Sequence, residues 1–259
     1  MLNPSSVFTR RNVIVFFGGA AAVFAAGFGL RKLTRPRGSP PIDWRAAFES
    51  KSGGGEAVVK SLVGDAFAGS KKLALGSAVP SGQQLKVGRE GTMVLALPDR
   101  TVMKIRGEAE ITLHCDPKSG GVYNLALGAV LSVVPTRNLY LAMGPTATVG
   151  VKGTVFFRRV WAGSGQKMMS MDGPVSTPEG VNDYFCNCNG EVEYLGDLQR
   201  GEVLLQDHAR HHNANFMKKD AGGRIEITKA AMLDHFDDEI DKLIDIQEPP
   251  RHDKSWLKL

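Results

Sequence analysis

From Ala57 to about Trp161 the chain alternates apolar and polar residues in short runs separated by turn residues. Met93, Leu95 and Leu97 interleave with Thr92, Val94 and Ala96, and Ile111 and Leu113 with Glu110 and Thr112. This period of two predicts strands. Pro80-Ser81-Gly82, Pro98-Asp99-Arg100, Pro117 to Gly121 and Pro135-Thr136-Arg137-Asn138 supply the turns between them. Gly144 to Arg159, GPTATVGVKGTVFFRR, predicts a buried strand with a kink. Gly150 and Gly153 mark a bulge or a place where another backbone passes closely, and Val149, Val151 and Val155 face a core. Strands continue after Trp161 at Asp183 to Cys188, Glu191 to Leu195 and Glu202 to Asp207. A helix is expected from an N-cap at Thr228, with Met232, Phe236, Ile240, Leu243 and Ile244 on one face, ending before Pro249-Pro250. Many short strands with no helical pattern between them predict an all-β fold, a sandwich, roll or solenoid, carrying a C-terminal amphipathic helix.

The N-terminal region departs from this pattern. Val13 to Leu30 holds no charge over eighteen residues, close to the lower limit for a membrane span. Thr9-Arg10-Arg11-Asn12-Val13-Ile14 precedes it and resembles a twin-arginine export signal, with Val13 where Phe is usual. Arg31, Lys32, Arg35 and Arg37 follow the apolar run and by the positive-inside rule oppose export of the body. Twin-arginine signals tolerate such residues, so residues 1–33 are read as an uncleaved signal anchor in a bacterial inner membrane, with the body in the periplasm. The alternative is a signal peptide that is removed. Residues 34–55, rich in Pro and Gly, read as a linker with a short helix at Trp44 to Phe48. The tail is 248–259.

Charge adds an exclusion. The net charge is +5, with 32 basic and 27 acidic side chains, but six of the basic ones and no acidic one lie in residues 1–38. The body is therefore about neutral, and no nucleic-acid partner is expected. The expected partners are the membrane, through the N-terminal segment, and a protein of the envelope.

Pro80-Ser81-Gly82 leading into Gln83 to Val87, Leu97-Pro98-Asp99-Arg100-Thr101, and Leu125 to Val130 around Gly128 together resemble the FecR domain. Val151-Lys152-Gly153-Thr154-Val155-Phe156 is similar to that family's closing signature and is the most specific match. Arg100 departs from the family's Asp-Gly-Ser turn. The resemblance covers about 57–161, with a looser echo at Phe185 to Tyr194, and leaves 162–247 as a β extension with the helix. It implies a binding, sensing or scaffold module of the envelope. Family members that act on a cytoplasmic sigma factor do so through an amino-terminal cytoplasmic domain, and only twelve residues precede the apolar run, so that activity is not expected.

Chemistry is concentrated after Trp161. Cys186 and Cys188 are two apart on an expected strand, so both thiols point to one face and suit a shared metal. His211 or His212, with His208 or His235, would complete a Cys and His set for zinc or another transition metal, and the alternative function is that of a metal-binding or redox protein using these residues. Adjacent residues of an extended segment face opposite ways, so only one of His211 and His212 joins easily. Competing readings are a disulfide, from Cys115 to one of the pair or within the pair, and buried thiols on the Tyr184 face. His235, among Asp234, Asp237 and Asp238, reads as solvated on a charged helix face. No G-x-S-x-G, H-E-x-x-H or phosphate-loop motif occurs, and no enzyme is expected.

Overall fold

The computed structural model describes residues 42–44, 54–117, 120–163, 165–196 and 202–247. The export signal, the apolar run, most of the linker and the tail lie outside these residues. Among the described residues no helix is long and apolar enough to cross a membrane.

The period-two segments form strands throughout. In chain order they are β1 (Glu56–Val63), β2 (Ala66–Ala68), β3 (Lys71–Lys72), β4 (Ala78–Pro80), β5 (Gln84–Val87), β6 (Thr92–Ala96), β7 (Val102–Asp116) and β8 (Gly120–Val133). They continue as β9 (Leu139–Met143), β10 (Thr148–Val160), β11 (Lys167–Ser170), β12 (Gly173–Ser176), β13 (Asp183–Leu195), β14 (Val203–Ala209), β15 (Asn213–Lys219) and β16 (Ile225–Ala230). One helix, α1 (Asp237–Ile246), follows them. Strands hold 60% of the described residues and no closed barrel forms among them, so the fold is all-β as expected. Fourteen strands share one sheet along the path β16-β15-β13-β10-β9-β8-β7-β5-β2-β3, with β1, β4, β6 and β14 paired beside it. The strands on either side of Trp161 belong to this sheet, because β10 pairs antiparallel with β13 from Thr148↔Leu195 to Val160↔Asp183. β11 and β12 form a separate hairpin.

Alternation along the long strands feeds two apolar layers. Met93, Leu95, Ile111, Leu113, Val149, Val151 and Phe156 enter a large core on one face. Val94, Val133, Val155, Phe157, Tyr184, Cys186 and Cys188 enter a second core on the other, covered by Leu233 and by Ile240, Leu243 and Ile244 of α1. The change of parity between Val151 and Phe156 is made at Gly153, where φ is +52° and the ladder shifts register. A Cβ there would lie 2.2 Å from the Thr136 backbone, and one at Gly150 would lie 2.4 Å from the Trp44 ring. Gly153 therefore meets both expectations, a bulge and a close backbone, while at Gly150 the close neighbour is a side chain instead. Arg100 takes φ +72°, so the Pro98 turn keeps a glycine-type backbone despite its side chain. Asp99 holds that turn by accepting from the Thr101 amide and hydroxyl and from Asn138.

The C-terminal part differs from its sequence reading. Asp183 to Leu195 is one strand rather than two, continuous through register shifts at Cys188 and opposite Gly190, where φ is +111°. Thr228 lies within β16, paired with Phe216, and α1 begins only at Asp237. Ile225, Ile227 and the β-branched Thr228 suit the pleated edge of β15, and this tertiary pairing overrides the helical spacing of Met232 and Phe236.

Arg158 and Asp183 tie these parts together, both side chains fully buried and joined by Nη2–Oδ2 at 2.6 Å and Nε–Oδ1 at 3.1 Å. Arg158 also donates to the carbonyls of Ala142 and Ala147, and Gly144 leaves the room that the guanidinium occupies. A buried pair is costly to half-remove but not to replace whole. Asp183→Leu alone is expected to lower stability by about 3–5 kcal/mol in chemical denaturation, and Arg158→Met/Asp183→Leu to recover most of it. A double variant as unstable as the single one would contradict this reading.

Candidate metal centre

β13 places Tyr184, Cys186 and Cys188 on the α1 side of the sheet, and Phe185 and Asn187 on the other. Asn187 is held from behind. Its amide donates to the Gly190 carbonyl at 3.0 Å and its Oδ1 accepts from the Thr154 hydroxyl at 3.1 Å, which fixes the strand midway between the two cysteines. The β14–β15 turn delivers His212, whose backbone amide donates to the Cys188 carbonyl at 3.0 Å and whose φ of +35° turns the chain back toward the sheet. The segment before α1 delivers His235. It is anchored by the Tyr184 hydroxyl, which donates to the Ala231 carbonyl and accepts from the Leu233 amide. Asp234 pairs with Arg159 and accepts from the Met169 amide of β11.

These segments bring Cys186, Cys188, His212 and His235 together, with their ligand atoms all within 4.8 Å of one another. Cys186 Sγ and Cys188 Sγ are 4.0 Å apart, Cys186 Sγ is 3.6 Å from His212 Nδ1, and Cys188 Sγ is 3.3 Å from His235 Nε2. Zinc bonds of about 2.3 Å to sulfur and about 2.0–2.1 Å to nitrogen, set tetrahedrally, give edges of about 3.8 Å between sulfurs and about 3.6 Å from sulfur to nitrogen. The observed edges fall close to those values.

The histidine tautomers are set by what stands behind them. His235 Nδ1 lies 2.7 Å from the Leu233 carbonyl, which can only accept, so Nδ1 carries the proton and Nε2 offers its lone pair to the cluster. His212 Nε2 lies 2.7 Å from Asp237 Oδ1 and donates to it, which turns Nδ1 toward Cys186. A carbonyl or carboxylate behind each imidazole is the outer shell that metal-binding histidines use. His235 also stacks on Phe157, with ring centroids 4.5 Å apart.

Charge is unevenly shared among the four groups. Burial opposes ionisation of Cys186, but its interactions with Cys188, His212 and His235 outweigh it and hold this thiol well below its ordinary range. Burial, reinforced by the neighbouring Cys186 thiolate, pushes Cys188 well above it. Burial alone would lower His212, yet Cys186 and Asp237 raise it. Desolvation of Asp237 is likewise outweighed by His212 and His211, which hold its carboxyl below the usual range.

Of the residues expected at this site, Cys186, Cys188 and His212 converge, with His235 rather than His208 as the fourth. His211 points instead to Asp237 Oδ2, at 3.2 Å, and its side chain is one-third exposed. The expected choice between the two adjacent histidines is therefore made in favour of His212. His208 is exposed beside Glu191 and outside the set. His235 is fully buried and precedes α1 rather than lying on it, which corrects its reading as a solvated helix residue. Its signal in the sequence was only its place as a remaining histidine, because the left-handed backbone of Asp234 that turns it inward leaves no mark there. All three cysteines are free thiols, and Cys115 packs in the core on the opposite face of the sheet.

No protein-family model and no curated protein matches the chain. Among solved structures it is similar to that of a "putative anti-sigma factor" from Parabacteroides distasonis, at 12% identity over 57% of this chain and 60% of that one, with a TM-score of 0.40. An overlap of that depth establishes neither a shared family nor a shared function.

The placement of the thiols gives a direct expectation. Peptide mapping after mild oxidation should recover no disulfide that contains Cys115; a Cys115–Cys186 or Cys115–Cys188 peptide from folded protein would contradict the two-core arrangement.

Proposed function

We propose that this protein is a metal-binding β module in which Cys186, Cys188, His212 and His235 hold a single zinc ion. The observation that carries the reading is the convergence of two thiol sulfurs and two lone-pair imidazole nitrogens at edges matching a tetrahedral zinc site. Two sulfur and two nitrogen ligands suit zinc among the common divalent ions. With all four positions supplied by protein the site is of the closed, structural kind rather than the open, catalytic kind. The ion would join three segments: β13, the β14–β15 turn, and the stretch that leads into α1. Its effect is to lock α1 and His235 onto the outer core.

A site occupied at a thousand times its dissociation constant adds about 4 kcal/mol. For a body of this size a strong chelator should therefore lower the melting temperature by about 8–16 °C, with zinc restoring it. Cys186→Ser and Cys188→Ser should melt low and be indifferent to chelator. A wild-type melting temperature that no chelator changes would overturn the reading.

The second reading is an envelope binding, sensing or scaffold module of the FecR type, anchored by residues 1–33. In its favour, the glycine of the Val151 to Phe156 signature stands where the backbone requires one, at a bulge pressed against Thr136. The two readings are compatible, since twin-arginine export carries folded, metal-loaded proteins. Fractionation with protease protection tests the placement. The body should stay with the membrane and be digested once the outer membrane alone is opened; digestion only after the inner membrane is broken would refute it.

A further inference from the structure

The four proposed ligands are enclosed. Cys186, Cys188 and His235 have no exposed surface and the His212 side chain is 5% exposed, so an ion cannot reach them from solvent without passing other groups. The groups on its way are themselves of ligand type. His211, His212 and Asp237 form a second cluster whose ligand atoms lie within 4.8 Å of one another, and the His211 and Asp237 side chains are 34% and 37% exposed. Both oxygens of Asp237 are engaged, Oδ1 by His212 Nε2 at 2.7 Å and Oδ2 by His211 Nε2 at 3.2 Å. His212 belongs to both clusters, with Nε2 on the outer one and Nδ1 on the inner one, 3.6 Å from Cys186 Sγ.

Resting on the metal-binding reading above, we propose that His211 and Asp237 are a capture site for the divalent ion, from which it passes to Cys186, Cys188, His212 and His235. A carboxylate and imidazoles suit borderline ions such as zinc and cobalt, and they exchange ligands readily at a solvated position. The negative carboxylate, beside Asp238 in the first turn of α1, draws a hydrated cation to this edge. Capture displaces water and the His211–Asp237 contact. Transfer replaces the carboxylate and His211 by sulfur and the buried imidazole, and the protons held by Cys188 and by the Cys186–His212 pair go to solvent as these groups become ligands. His211 thus acts on the route and not in the final coordination sphere, which explains a histidine placed beside a ligand yet turned away from the sulfurs.

Rapid mixing of the chelator-stripped full chain with cobalt(II) reads both steps, because thiolate ligation produces a charge-transfer band that the outer cluster cannot give. His211→Ala should reach the wild-type band intensity and stoichiometry but load about tenfold more slowly. Asp237→Asn, which keeps an acceptor for His212 but removes the charge, should slow loading in the same direction. His208→Ala, an exposed histidine outside both clusters, should load at the wild-type rate. Loading of His211→Ala and Asp237→Asn at the wild-type rate, with the full band, would overturn the capture site and leave the buried centre standing. Absence of any thiolate band in the wild type would overturn the centre itself and the capture site with it.

Discussion

The pleat of β13 is the constraint on which the centre depends. Because successive side chains point to opposite faces, Tyr184, Cys186 and Cys188 share the outer core while Phe185 and Asn187 face inward, and no choice of side chains elsewhere could bring two thiols so close without that spacing. A slip of one residue would send both sulfurs into the other core. The register is held by antiparallel pairing with β10 on one side and β15 on the other, by Asn187 clasped between Thr154 and the Gly190 carbonyl, and by the buried Arg158–Asp183 pair at the strand's start. The β10–β13 ladder shifts register at Gly153 and again at Cys188, which is passed over between Val155↔Asn189 and Phe156↔Asn187, yet both thiols stay in the outer core.

Electrostatics then distinguishes the cluster from an accidental meeting of polar groups. Buried thiols and imidazoles with no partners would be costly. Here each histidine has its distal nitrogen satisfied by an acceptor, and the proximal nitrogens and sulfurs turn to one another. The acceptors come from different places, a backbone carbonyl at Leu233 and a carboxylate at the start of α1, so closing the site and docking the helix are one event. Glu239 of α1, bonded to Lys104 and Arg106 of β7, and Gln247, donating to the Arg100 carbonyl, hold the same helix at points away from the sulfurs. The outer core therefore has support of its own, and the ion is expected to add to it rather than to create it.

Much of this was legible in the sequence, in proportion to how local each feature is. Period two exposed the strands from Val58 to Phe157, and the small residues at 150 and 153 announced their bulge and close contact, because both depend on neighbours along the chain. The same-face geometry of Cys186 and Cys188 follows from spacing alone, as does the exclusion of one of His211 and His212. The strand at Ile225–Ala230 was hidden behind a helical spacing that its pairing with β15 overrides. The choice of His235 over His208 was hidden for a related reason: its partners lie 47 and 49 residues back, at Cys188 and Cys186, and a left-handed residue at Asp234 sets its direction. Arg100 shows the converse, a turn whose backbone is kept although the residue type argues against it.

The central claim is one ion held by two sulfurs and two nitrogens, and metal content read against protein mass tests it most directly. Native mass spectrometry of the purified body, paired with elemental analysis, should find one zinc per chain in the wild type. That zinc should be lost in Cys186→Ser, Cys188→Ser and His235→Ala but kept in Cys115→Ser. A wild-type chain that carries no ion after purification and takes none up from added zinc would contradict the account.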